Sequence, residues 1–354
     1  MEEMRHFFPG GNTSRGFYSR FAYIMPKERV RRKIILKGGP GVGKNTFMHR
    51  VADDLLAHGR AVEFFHCSSD PDSLDGIAAP ELGVALIDGT APHVVDPVLP
   101  GAVDGILNLG ECLDEALMEK SRDAIKEASG RIAGCFLKAY DYLSAAAPLI
   151  GGINREWRER TPPGAVEALA RTLIGRWLPE GEGKGVALER ELFSEAYTPK
   201  GYLSFLPSLL SERVISIACP WGFSPHPLLA RLRDAALDRG IPVLGLYNPL
   251  LPGELNHLDF PGLAMSVVSG PAEARAETVD IKEALSLSQV VIKEQAANRK
   301  IHDQLIQKAV ESLREAKRRH DDLEKWYVAA MDYGLWEAAL DRVKETVGKI
   351  AATP

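Results

Sequence analysis

Apolar positions along this chain follow the same succession of rhythms twice. In the first half a short aliphatic run, Lys33-Ile-Ile-Leu36, precedes a glycine-rich turn. After the turn, Phe47, Met48, Val51 and Leu55 recur at the spacing of one helix face, and Gly59 is placed to end that helix. Apolar runs at 61–65 and 84–87 predict a second and a third strand, with the acidic, turn-rich stretch 66–75 read as a loop between them. The second half repeats the order, with strand-like runs at 214–217, 242–246 and 265–268. Near-continuous apolar strands separated by a helix predict a parallel sheet covered on both faces. Helix-prone stretches close each half at about 103–147 and 281–349, and the charged portion 301–340 predicts a packed helical hairpin.

The two halves are related in sequence. Positions 41–92 align without a gap on 222–273, and 12 of those 52 positions are identical, among them Gly41/Gly222, Asp53/Asp234, Gly59/Gly240, Leu74/Leu255 and Gly89/Gly270. Average composition would match roughly 3. Upstream, Thr13-Ser-Arg-Gly-Phe-Tyr-Ser19 resembles Thr198-Pro-Lys-Gly-Tyr-Leu-Ser204. Duplication explains this better than shared composition does. The Gly- and charge-rich segment Pro179-Glu-Gly-Glu-Gly-Lys-Gly185 reads as the linker, which divides the chain into units 1–180 and 181–354.

Candidate chemistry is concentrated in the first unit. Gly38-Gly-Pro-Gly-Val-Gly-Lys-Asn45 fits the Walker A pattern, G-x-x-x-x-G-K, between a strand and a helix. In that frame the backbone N–H groups turn inward around phosphate oxygens, and the helix N-terminus favours an anion. Gly38, Gly39, Gly41, Val42, Gly43, Lys44, Asn45 and Thr46 are the expected nucleotide-binding residues, with Lys44 reaching the β- and γ-phosphates. The pattern normally ends in Ser or Thr, whose hydroxyl ligates Mg²⁺, and here that position is Asn45. An amide oxygen is an acceptable ligand for a hard cation but a longer one, so binding is better supported than fast hydrolysis, and Asn45→Ser is expected to raise turnover. Asp88 ends the run Val84-Ala-Leu-Ile-Asp88 like the metal-holding Asp of a Walker B strand, although Asp88-Gly89 is also a good turn pair. Asn45 and Asp88 are therefore the expected Mg²⁺ ligands, and Lys44 and Asp88 the expected catalytic groups. No Glu follows Asp88. Asp70, Asp72 and Asp75 are candidates for binding metal or orienting water, and His93 for sensing the γ-phosphate. At the aligned place the second unit reads Cys219-Pro-Trp-Gly-Phe-Ser-Pro-His-Pro227, with Pro225 for Lys44, His226 for Asn45 and Ser269 for Asp88. It is read as a unit that keeps the fold and has lost the chemistry.

Charge and composition narrow the rest. A net charge of −5 argues against a nucleic acid or anionic membrane partner, so the basic runs at 27–33 and 317–320 read as solvated faces. Four dispersed cysteines form no CxxC pair, which argues against zinc and suits a reducing cytoplasm. No signal peptide or membrane span is read.

At GGPGVGKNT, EFFHCSSDPDSLDG, APELGVALIDGTAPH and the repeat as a whole, the chain resembles a bacterial family of tandem P-loop ATPases, sometimes described as nucleotide kinase-like. The resemblance implies an α/β fold of two P-loop NTPase-like parallel-sheet units in tandem, each with appended helices, and ATP with Mg²⁺ as cofactors. In that family both halves usually end their loops in GKS or GKT, from which this chain departs at Asn45 and across 219–227. Two functions are expected to compete. One is slow ATP hydrolysis or phosphoryl transfer to an unknown acceptor. The other is a nucleotide-responsive regulatory protein that engages a protein partner with little turnover.

Overall fold

The computed structural model describes residues 4–352 apart from 92, 181–186, 271–276 and 291, and most of the expected linker falls outside the described residues. The first half begins with β1 (Arg5–Phe7) and a hairpin of β2 (Gly10–Thr13) and β3 (Gly16–Ser19). There follow β4 (Arg32–Lys37), α1 (Lys44–Ala57), β5 (Glu63–Cys67), β6 (Asp70–Ala79), β7 (Val84–Asp88) and β8 (Asp104–Asn108). Short α2 (Glu115–Lys120), the 39-residue α3 (Arg122–Arg160) and α4 (Ala165–Trp177) complete it. The second half runs through β9 (Glu189–Leu192), β10 (Glu195–Thr198), β11 (Gly201–Ser204), β12 (Arg213–Ala218), α5 (His226–Asp238), β13 (Val243–Tyr247), β14 (Leu255–Phe260), β15 (Met265–Ser269) and β16 (Glu277–Asp280). It ends in α6 (Ile281–Ala284), the 35-residue α7 (Gln295–Ala329) and α8 (Tyr333–Ala351).

The two six-stranded sheets have one topology, β1-β5-β6-β7-β4-β8 and β9-β13-β14-β15-β12-β16. Both are mixed rather than wholly parallel: β6 and β14 each run antiparallel to both neighbours. The stretch 66–75 read as a loop is in fact mostly β6. Only Ser68 and Ser69 separate it from β5, and so short a connection can only turn back antiparallel. Asp, Pro, Ser and Gly have low strand propensity, which hides the strand in the sequence. Pairing on both sides overrides that propensity. The T-x-x-G motifs make the same turn in both halves. Thr13 Oγ1 accepts from the Arg15 amide at 3.0 Å and donates to the Gly16 carbonyl at 2.8 Å, and Thr198 repeats this with Lys200 and Gly201 at 3.1 and 2.9 Å.

The helices do not stay with the half that encodes them. Trp336, Ala339, Leu340, Val343 and Val347 of α8 lie in one core with Phe47, Met48 and Val51 of α1. Reciprocally, Ala170, Leu173 and Trp177 of α4 join Leu228, Leu229 and Leu232 of α5. In place of the expected hairpin within 301–340, α7 packs along α3, with Ala139, Leu143 and Ala146 meeting Ala309 and Leu313. Periodicity showed that these helices had an apolar face; it could not show whose apolar face they meet. Phe8 and Phe193, at matching places in the two halves, exchange backbone hydrogen bonds of 2.9 and 3.2 Å. Arg190 donates twice to Glu63 across the same seam, at 3.0 and 2.9 Å. Each sequence unit thus completes the other's core. No helix among the described residues is long and apolar enough to cross a membrane.

Candidate functional site

The glycine-rich loop, residues 38–43, joins the C-terminal end of β4 to α1, the place where open α/β sheets present ligands. Gly43, the residue before the helix, sits at φ 79 and Gly41 at φ 73, both in the left-handed region that glycine tolerates. Among the described residues, the amides of Gly41, Gly43, Lys44, Asn45 and Thr46 make no backbone hydrogen bond, and the first amide of α1 to find a partner is Phe47, bonded to the Gly43 carbonyl. Unpaired amides at the start of a 14-residue helix, with the positive end of its dipole, suit an anion.

Lys44 Nζ donates to the carbonyls of Gly38 at 2.8 Å and Gly39 at 2.9 Å and lies 3.6 Å from Asp88 Oδ2. Asp88 ends β7, which pairs with β4 so that Asp88 stands opposite Leu36. Its Oδ1 accepts from the Thr90 amide at 2.9 Å, and Thr90 Oγ1 donates to the Gly38 carbonyl at 2.9 Å. Lys44 and Asp88 therefore meet at the loop.

Asn45 is engaged elsewhere. Its Oδ1 accepts from the Leu74 amide at 3.1 Å, tying the first turn of α1 to β6. In the second half His226 Nδ1 accepts from the Leu255 amide at 3.1 Å, the same bond at the aligned positions. Position 45 thus carries a structural acceptor in both halves, which accounts for Asn and His where the motif normally has a hydroxyl.

Of the three candidate aspartates only Asp75 enters the site. Asp72 pairs at the surface with Lys200, and Asp70 with Lys317 of α7. Asp75 sits at an irregularity in the β5–β6 ladder, where Phe65 faces Gly76 and His66 faces Leu74, so that Asp75 is the extra residue. A bulge re-aims its side chain. Asp75, Asp88 and His93 each place a ligand atom within 4.8 Å of the others, and all three residues are buried. Burial, opposed by His93 and reinforced by Asp88, pushes the Asp75 carboxyl up to about 6. Burial beside Asp75 also raises the Cys67 thiol well above its usual value. The His93 ring stacks on Phe21, with centroids 4.7 Å apart. Lys37 holds the segment that carries His93 by donating to the carbonyls of Gly89 at 2.8 Å and Val95 at 2.9 Å.

The sequence offered no signal for the cover over the loop. A Cβ on Gly39 would meet the Tyr327 ring, one on Gly41 the Glu324 carbonyl and one on Gly43 the Trp336 indole nitrogen, all at 2.9 Å or less. The end of α7 and the start of α8 therefore rest against the glycine-rich loop. In the second half Ile153 of α3 meets Gly222 in the same way. There the start of α5 is closed: the Ser224 hydroxyl takes the His226 amide and donates to Glu254, while Leu228 and Leu229 donate to the Pro225 carbonyl. A carboxylate and a proline-led helix start leave no cradle for an anion.

No protein-family model, curated protein or solved structure matches the chain, so the site has to be read from its own geometry.

Proposed function

We propose that the first half binds a nucleoside triphosphate, ATP by the resemblance to tandem P-loop ATPases, and turns it over slowly by hydrolysis or phosphoryl transfer. The observation that carries this reading is the set of unpaired amides at Gly41 and at residues 43–46, where the glycine-rich loop enters the helix that begins with Lys44. Lys44 is parked on two loop carbonyls, an arrangement it can exchange for phosphate oxygens without rebuilding the fold. With a triphosphate bound, Lys44 would carry charge developing on the γ-phosphate, and Asp88 would hold a divalent cation. Such a cation, Mg²⁺ in the family resembled, neutralises phosphate oxygens. The second half serves as scaffold, supplying α7 and α8 to the first. A reducing cytoplasm suits the four free cysteines.

A second reading, in which nucleotide occupancy regulates a partner with little turnover, draws on Tyr327 and Trp336, which touch the loop from helices of the other half. The test is calorimetric titration of ATP with phosphate release followed in parallel. Lys44→Ala is expected to abolish binding. Wild-type protein that binds no nucleoside triphosphate would defeat both readings, and binding without release favours the regulatory one.

A further inference from the structure

We infer that Asp75, Asp88 and His93 form a protein-built site for a divalent transition ion of the Mn²⁺ or Zn²⁺ type. The inference deepens the nucleotide reading and rests on it for the use of the ion, though not for its binding. These residues are 3%, 9% and 8% exposed, and one ligand atom from each lies within 4.8 Å of the others. Asp75 Oδ2 and His93 Nδ1 are buried without a hydrogen-bond partner. The nearest approach of the two, His93 Nε2 to Asp75 Oδ1, is 3.6 Å, too long for a hydrogen bond. A buried carboxylate oxygen with no partner is costly, and an ion held by the cluster would remove that cost at Asp75 Oδ2.

The matching place in the second half shows what the same frame does without such a role. Asn256, aligned with Asp75, donates to Glu195 at 2.9 Å and accepts from Ser269, aligned with Asp88, at 3.4 Å. That network closes on itself, whereas the first-half cluster leaves Asp75 Oδ2 and His93 Nδ1 without a partner. The donor set selects the metal. Two carboxylates alone suit Mg²⁺ or Ca²⁺, but an imidazole shifts preference toward Mn²⁺, Fe²⁺, Co²⁺ or Zn²⁺. Three protein ligands also leave coordination positions for water or phosphate oxygens. The site is held from three directions: Asp75 by the bulge, Asp88 by the end of β7, and His93 by its stack on Phe21.

The experiment uses the full chain, stripped with chelator and without nucleotide, titrated with Mn²⁺ by calorimetry and by loss of the free-ion paramagnetic resonance signal. Wild type is expected to bind one ion per chain, at least about 100-fold more tightly than Mg²⁺. Nitrogen hyperfine coupling to the bound Mn²⁺ should report the imidazole. His93→Gln and Asp75→Asn should each weaken binding at least about tenfold while keeping the wild-type circular dichroism spectrum. Should one variant misfold, the other and the hyperfine signal in wild type still decide. Lys44→Ala should keep Mn²⁺ binding and lose ATP, which separates failure of this inference from failure of the nucleotide reading. Folded wild type that binds no Mn²⁺, binds Mg²⁺ as tightly, or lacks nitrogen coupling overturns the proposal.

Discussion

Replacing Trp336 with alanine tests whether the first half depends on a helix encoded some 290 residues downstream of its glycine-rich loop. Trp336 is 5% exposed, meets Phe47 edge-on with centroids 5.5 Å apart, and directs its indole nitrogen at Gly43. A tryptophan side chain buries about 200 Å². At about 25 cal/mol per Å² its loss removes at most about 5 kcal/mol. The indole N–H has no partner, so its removal returns about 1–2 kcal/mol. The net cost is about 3–4 kcal/mol, within the usual range of about 3–5 for such truncations. For a chain of this length that is a fall in melting temperature of about 4–5 °C. Trp336→Phe keeps most of the packing and sheds the unpaired donor, so it should stay within about 1 kcal/mol of wild type. Differential scanning calorimetry measures both, and hydrogen exchange should show faster exchange in α1 of the alanine variant. An alanine variant that melts with wild type, or a phenylalanine variant that costs as much as alanine, would refute the packing argument.

Other outcomes follow from the same contacts. Asn45→Ala leaves the Leu74 amide without its acceptor and should cost about 1–2 kcal/mol in urea denaturation, with His226→Ala matching it through Leu255. His66 is held down to about 4, mainly by burial, against 6.5 in an open chain. Between those values the unfolded state binds the extra proton, so its stabilising contribution is present above about pH 6.5 and is lost as pH falls toward about 4. After allowance for partial exposure the loss should be about 2 kcal/mol in urea melts, and His66→Asn should flatten it. The segments 1–180 and 181–354, expressed apart, should each lack cooperative unfolding and regain it when co-expressed, because each holds helices that complete the other's core. Two separately stable halves would contradict that exchange.

The strand, turn and helix around the glycine-rich loop were legible because they are local. Strand, turn and helix from Arg32 to Ala57 are contiguous, and the N–H groups of such a turn converge whatever lies around them. Asp88 was legible for the same reason, since a strand that ends beside β4 delivers its last side chain to the loop. Asp75 was one of three equal candidates, and only a ladder irregularity separates it from Asp70 and Asp72. Asn45 was read as a metal ligand because the motif alone says nothing of the Leu74 amide nearby.

The repeat, the strand–turn–helix frame and the absence of a G-x-x-x-x-G-K pattern in the second half are properties of the sequence itself, set by periodicity and by residues adjacent in the chain. Tertiary structure decided which partner each apolar helix face met, turned an acidic stretch into a central strand, and brought His93 to Asp75 and Asp88. Those outcomes depend on burial between distant segments. An apolar stripe records how much surface must leave water, and it carries no address for the surface that will cover it.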